Sequence, residues 1–316
     1  MLVISNVSYT ISDRFSLRNL NLQIDQGKHV AIIGESGCGK TTLLKLIYGL
    51  FDTDSGTIHW NNTQVTGPKE NLVPGMPFMK YLSQDFDLMP FISVEENIKK
   101  FLSRFYPEES AQRTQELLEV VEMSAFAKAH VKTLSGGQKQ RVALAQSLAK
   151  EPEVLLLDEP FSHIDNFRKN RLRRKLFTYL KKQNITCLVA THDSTDVLSY
   201  MDKTIVIRDG IILADDMTTT LYKNPKTHYI ASLFGEVNEL PAYWFDQEIT
   251  NKETTMLVYP HQLEVVDTGV KVVVTQSYFK GSHWLIEGKH DGLHVFFYET
   301  SDLEKGKEVS LRYKTN

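Results

Sequence analysis

The sequence predicts an α/β domain built on a mostly parallel sheet, followed by a small all-β domain. Three observations carry this expectation. Short all-apolar runs alternate with amphipathic helical patterns between residues 29 and 208, as strands buried on both faces require. One glycine-rich segment, Gly34–Thr41, falls between such a strand and a helix. From Thr254 to Arg312 the chain turns β-branched and aromatic, with turn signals between the runs.

The elements follow in order. Met1–Thr10 and Leu20–Ile24 alternate apolar and polar positions and read as strands. His29–Ile33 is a short apolar strand, and Thr41–Leu50 carries apolar residues at helical spacing. Ser55-Gly56 and Asn61-Asn62 bracket a strand at Thr57–Trp60. Glu95–Phe105 and Glu109–Met123 read as amphipathic helices, and residues 85–133 form a helical subdomain inserted in the α/β core. Helix (Gln138–Ala149), strand (Val154–Leu157), helix (Phe167–Lys182), strand (Thr186–Ala190), helix (Ser194–Met201) and strand (Thr204–Arg208) complete it. Residues 224–240 read as a linker, and the domains are assigned as 1–235 and 236–316. The aromatic residues of the second domain, Tyr278, Phe279, Trp284, Phe296, Phe297 and Tyr298, are expected to fill a small barrel.

Composition excludes several classes. A length of 316 residues allows two or three domains with ordinary cores. Net charge is −3, from 36 basic and 39 acidic side chains, which gives no footprint for general nucleic-acid binding. Two cysteines, Cys38 and Cys187, cannot form a disulfide framework or a four-ligand zinc site, and fit a reducing compartment. The start, MLVISNVSYT, lacks a signal-peptide layout, and no apolar run reaches about 18–20 residues. A role at a membrane would therefore need another subunit to supply the membrane part.

Gly34-Glu35-Ser36-Gly37-Cys38-Gly39-Lys40-Thr41 fits G-x-x-x-x-G-K-[ST], with Thr42 continuing into the helix. Glycines let backbone N–H groups turn toward phosphate oxygens, and the helix N-terminus adds partial positive charge. Lys40 is placed to reach the β- and γ-phosphates, and Thr41 to offer a hydroxyl to Mg²⁺. Leu155-Leu156-Leu157-Asp158-Glu159 is an apolar strand ending in two carboxylates. Asp158 is placed to hold Mg²⁺, and Glu159 to polarise an attacking water. Ser135-Gly136-Gly137-Gln138 opens a helix and reads either as an anion-binding mouth or as a plain N-cap.

In their order, GESGCGKT at 34–41, Gln84, LSGGQKQR at 134–141, LLLDEP at 155–160 and ATHD at 190–193 resemble the ATP-binding cassette (ABC) ATPases. The resemblance covers about residues 1–225. It implies an α/β P-loop ATPase core with a helical subdomain, ATP and Mg²⁺ as cofactors, and catalysis by Glu159, His192 and Lys40. Tyr9 would stack on adenine, Gln84 would touch Mg²⁺ and water, and Asp165 would lie in a loop that communicates across a dimer. Ser135 to Gln138 would grip ATP held by the other subunit of a homodimer. His163 and Ile164 stand where that family has a small residue and leucine, and Gln146 where arginine is frequent.

LYKNP at 221–225 and YPHQLE at 259–264 resemble the junction and opening of the TOBE barrel in importer ATPases for iron(III), polyamines, sulfate and sugars. The resemblance thus implies an energy-coupling importer subunit, peripheral on the cytoplasmic face of the membrane. Its partners would be transmembrane permease subunits and a solute-binding protein, with no nucleic acid. An exporter ATPase and a cytosolic ATP-driven switch are the competing readings. Phe86, Leu88, Met89 and Phe91 either receive a permease helix or pack the insert onto the core.

Overall fold

The computed structural model describes residues 1–12, 15–246, 248–249, 251 and 253–314. Its strands and helices run β1 (Leu2–Ser12), β2 (Phe15–Ile24), β3 (His29–Ile33), α1 (Lys40–Tyr48), β4 (Ser55–Trp60), β5 (Thr63–Gln64) and β6 (Met79–Leu82). The helical insert follows as α2 (Val94–Lys99) and α3 (Pro107–Val120). Then come α4 (Gly136–Leu148), β7 (Val154–Asp158), α5 (Asn166–Lys182), β8 (Thr186–Ala190), α6 (Ser194–Tyr200), β9 (Lys203–Arg208) and β10 (Ile211–Met217). The rest is α7 (Thr218–Lys223), α8 (His228–Ser232), β11 (Asn238–Pro241), β12 (Thr255–Val258), β13 (Leu263–Val266), β14 (Val270–Phe279), β15 (Trp284–His290), β16 (Leu293–Glu299) and β17 (Glu308–Tyr313). The chain divides into one compact unit, Met1–Thr219, and a second that begins at Thr220.

In the first unit the central sheet has strand order β10-β9-β3-β8-β7-β6. β9, β3, β8, β7 and β6 are parallel, and β10 is an antiparallel edge. Every residue of β3, β7 and β8 is buried, which is why these strands read as unbroken apolar runs instead of alternating ones. A second sheet, β2-β1-β4-β5, is wholly antiparallel, so the opening strands stand apart from the parallel sheet. One core joins Leu2, Leu17 and Trp60 of that sheet to α1 residues Leu43 and Ile47 and to Ile32, Leu156 and Leu188.

Helix α2 is shorter than its expected span of Glu95–Phe105. Past Lys100 the bonds tighten to Phe101 N–H to Ile98 O and Leu102 N–H to Lys99 O. Phe105 is 91% exposed, so nothing apolar holds a further turn, and Pro107 disfavours helix at Tyr106. Met89 and Phe91 are exposed as well. Helix α3 starts with proline in its first turn and ends before Glu122, whose φ is 57°.

In the second unit a five-stranded antiparallel sheet has order β13-β17-β14-β15-β16 and curls until its edges β13 and β16 come into contact without pairing. Strands β11 and β12 pair separately. Residues 224–240 are not the plain linker expected. Thr227 caps α8 by accepting from the Ile230 N–H, and β11 pairs with β12. The core is aliphatic with Phe297 at its centre and Trp284 packed against it. Tyr278 and Phe279 are exposed, at 42% and 65%, so the aromatic residues fill the barrel only in part.

Candidate nucleotide-binding and hydrolysis site

Four of the motifs follow the C-terminal ends of parallel strands, while Ser135 to Gln138 open α4. Gly34 follows β3, Gln84 follows β6, Glu159 follows β7 and His192 follows β8. In such sheets these ends form one edge, where ligands bind. Residues far apart in sequence are therefore gathered there by topology.

The loop from Gly34 to Gly39 turns back on itself to start α1. Gly39 has φ 107°, and a Cβ there would come within 2.5 Å of Leu17 Cδ2, so glycine is required on both counts. No side chain caps α1, and its first turn holds no acidic residue, which leaves its N-terminal N–H groups for an anion. Lys40 Nζ folds over the loop, donating to the carbonyls of Gly34 at 2.8 Å and Glu35 at 2.9 Å. Cys38 is buried beneath it, with Sγ 3.9 Å from that ammonium. Burial pushes the Cys38 thiol pKa up. Thr42 follows Thr41 in the first turn of α1.

At the end of β7, Asp158 is 2% exposed. Thr41 Oγ1 donates to its Oδ1 at 3.1 Å, and the Tyr81 hydroxyl donates to its Oδ2 at 3.2 Å. Burial, followed by the charge of Asp158, raises the Tyr81 pKa, so the phenol stays protonated.

Next in the chain, Glu159 adopts φ 50°, a left-handed conformation uncommon outside glycine. Its N–H donates to Ala190 O at 3.0 Å. His192 Nδ1 lies 2.8 Å from Glu159 Oε1, the carboxylate being mostly buried and the imidazole mostly exposed. An ionised carboxylate only accepts, so Nδ1 carries the proton in this pair. Behind His192, Asp193 caps α6 by accepting from the Thr195 N–H. The buried Arg173 pairs with both Asp193 and Asp196 at 2.5 Å. Burial works against charge on Asp193, but Arg173 outweighs it and holds that carboxyl below its ordinary pKa.

Gln140, 1% exposed, ties α4 to this edge. Its Nε2 donates to Glu159 O at 3.0 Å, and its Oε1 accepts from the His163 N–H at 3.1 Å. Close approach makes this possible, since a Cβ on Gly137 would stand 2.6 Å from His163 O. Ser135 is the N-cap of α4. Its hydroxyl accepts from the Gln138 N–H, and the Gln138 side chain accepts from the Ser135 N–H. A Cβ on Gly136 would meet nothing within 4 Å, so that turn opens outward.

The structure thus brings together Lys40, Thr41, Asp158, Glu159 and His192. Gln84 and Asp165 are exposed, and Gln84 makes no hydrogen bond to Thr41 or Asp158 among the described residues. Tyr9 stacks on Phe51, with centroids 5.3 Å apart and rings 7° from parallel. Phe86 meets His163 edge-on at 5.7 Å. Sequence reasoning missed Tyr81, Gln140 and Arg173. Only Gln140 carried a local signal, as a polar residue on the inward side of an amphipathic helix.

Fold and site together define a nucleotide triphosphatase of the P-loop class with a helical insert. Residues 17–162 match the family described as ABC transporter. Over 284 residues, 83% of this chain, it is 34% identical to the sulfate/thiosulfate import ATP-binding protein CysA of Mannheimia succiniciproducens, covering 79% of that protein. It is 34% identical to CysA 1 of Shewanella oneidensis, covering 72% of it. Identity to the Vibrio cholerae CysA is 35%, and the match spans 66% of that relative's length. Among solved structures, the ATP-binding cassette MJ0796, as a post-hydrolysis dimer bound to ADP and Pi, matches with TM-score 0.61 and 28% identity. That match covers 69% of this chain and 99% of MJ0796. The cbiO1 subunit of Clostridium perfringens, part of the transporter complex cbiONQ, matches with TM-score 0.62 and 27% identity, over 71% and 90% of the two chains. The chain belongs to the ABC transporter family, as an ATP-binding subunit that hydrolyses ATP and couples it to transport. No described helix is long and apolar enough to cross a membrane.

Proposed function

We propose that this chain drives uptake of a small oxyanion of the sulfate or thiosulfate type. It works as a homodimer on the cytoplasmic face of the membrane, beneath permease subunits fed by a solute-binding protein. The observation that carries the hydrolytic part is the Glu159–His192 pair at 2.8 Å, beside the loop closed by Lys40. Import and cargo rest on the likeness to the CysA proteins.

In this reading the N–H groups at the start of α1 and the Lys40 ammonium bind the polyphosphate of ATP. The site also fits a divalent cation, because Thr41 Oγ1 and the buried Asp158 carboxylate supply hard oxygen donors 3.1 Å apart. When bound, Mg²⁺ supplies charge neutralisation at the transferring phosphoryl group. Glu159 takes a proton from the attacking water, and His192 holds its carboxylate in place. Ser135 to Gln138 contact the nucleotide of the partner subunit, and Gln84 and Asp165 relay between subunits. Tyr9 is the adenine platform, with Phe51 backing its ring. The second unit acts as a TOBE-like regulatory domain.

Uptake of labelled sulfate and thiosulfate by cells lacking this chain tests the proposal. Uptake should be lost, return with the wild-type chain, and fail to return with Glu159→Gln. Unchanged uptake of both anions in the deletion strain would remove the cargo assignment.

A further inference from the structure

Tyr81 is the third residue of β6, in register with Leu156 of β7. Its ring lies tilted against Tyr48 of α1, with centroids 5.6 Å apart. The same side chain lines a cavity of about 180 Å³ with Phe101, Gln146 and Lys150, at the end of β6 where Gln84 emerges. Its hydroxyl reaches Asp158 Oδ2 at 3.2 Å while Thr41 occupies Oδ1 at 3.1 Å. A carboxylate buried to 2% exposure needs donors for its oxygens. Here each oxygen has one, and the two donors come from different elements. Thr41 alone would leave the carboxylate free to rotate about its Cβ–Cγ bond and would leave Oδ2 unsatisfied.

We propose that Tyr81 is a positioning residue for Asp158. Its phenol pins Oδ2, so that Oδ1 stays beside the Thr41 hydroxyl and the two oxygens are aligned for a divalent cation. Partners of this kind, one shell out from a metal, orient the ligand and set its affinity. The inference rests on the reading of Asp158 as a metal-holding group.

Tyr81→Phe keeps the ring against Tyr48 and removes only the hydroxyl. The test titrates Mn²⁺ into the full chain with AMP-PNP and reads free Mn²⁺ by electron paramagnetic resonance. Asp158→Asn runs in parallel, and thermal unfolding is recorded without metal or nucleotide. The expected result is a Mn²⁺ dissociation constant raised on the order of tenfold in Tyr81→Phe. Its metal-free AMP-PNP affinity should stay at the wild-type value, and its unfolding midpoint should fall by no more than the loss of one buried hydrogen bond. Wild-type Mn²⁺ binding by Tyr81→Phe, with weakened binding by Asp158→Asn, would overturn the role of Tyr81. Wild-type binding by both variants would instead overturn the reading of Asp158 itself. A metal-free AMP-PNP affinity that falls in step with metal binding in Tyr81→Phe would also count against it, as the mark of a merely structural residue.

Discussion

His192 Nδ1 stands 2.8 Å from Glu159 Oε1, joining the residue after β8 to the residue after β7. Glu159 is held by its strained backbone and by the imidazole, while His192 is set by Asp193 and Arg173 behind it. The base that would activate water is therefore held from two sides.

Replacing His192 with alanine should release the Glu159 side chain without touching the nucleotide-binding loop. Hydrolysis is expected to fall by about a hundredfold, the size typical of a lost acid–base arrangement. ATP affinity should stay near wild type, because Lys40 and the start of α1 are unaltered. Single-turnover rates beside ATP binding by calorimetry check this, and a matched loss of both would contradict it.

Gln140→Leu should separate stability from chemistry. It removes the amide that joins Glu159 O to the His163 N–H, leaving two backbone groups short of partners. A destabilisation of about 2 kcal/mol is expected from unsatisfied buried groups. The turnover number should also drop at unchanged ATP affinity, since the Glu159 backbone loses its anchor. Denaturant unfolding and steady-state kinetics on one preparation test both, and an unchanged turnover number would refute the anchoring role.

The chain should lose stability on mild acidification through His29. This side chain is 0% exposed. Burial first, and then Lys181, lower its pKa from 6.5 to about 4. The folded state thus binds a proton less readily than the unfolded chain. Its contribution is complete above the unfolded value of 6.5 and is lost as pH falls toward 4. The full effect is on the order of 3 kcal/mol. His29→Leu should flatten the dependence of the urea midpoint on pH in that window, and an unchanged slope would exclude His29 as its source.

Much of the site was legible because its chemistry is written in contiguous residues. A P-loop, a strand ending in Asp158-Glu159 and a histidine after β8 each announce themselves locally, and parallel topology does the rest. Tyr81 and Arg173 were not legible, because their partners lie 77 and 20 residues away and nothing in the intervening sequence marks the pairing. Helix α2 was overextended because apolar spacing alone does not reveal that Phe105 faces solvent. Residues 224–240 looked like a linker because α8 is a single short turn, stabilised by its Thr227 cap more than by any periodic face. The two opening strands were seen, but their separate antiparallel sheet depends on the return of β4, which strand patterns do not encode.

The role of Glu159 as the base is tested most sharply by steady-state ATP hydrolysis of Glu159→Gln, measured with ATP binding on the same protein. Hydrolysis should drop at least about a hundredfold while ATP binding persists. Hydrolysis at the wild-type rate would contradict that role.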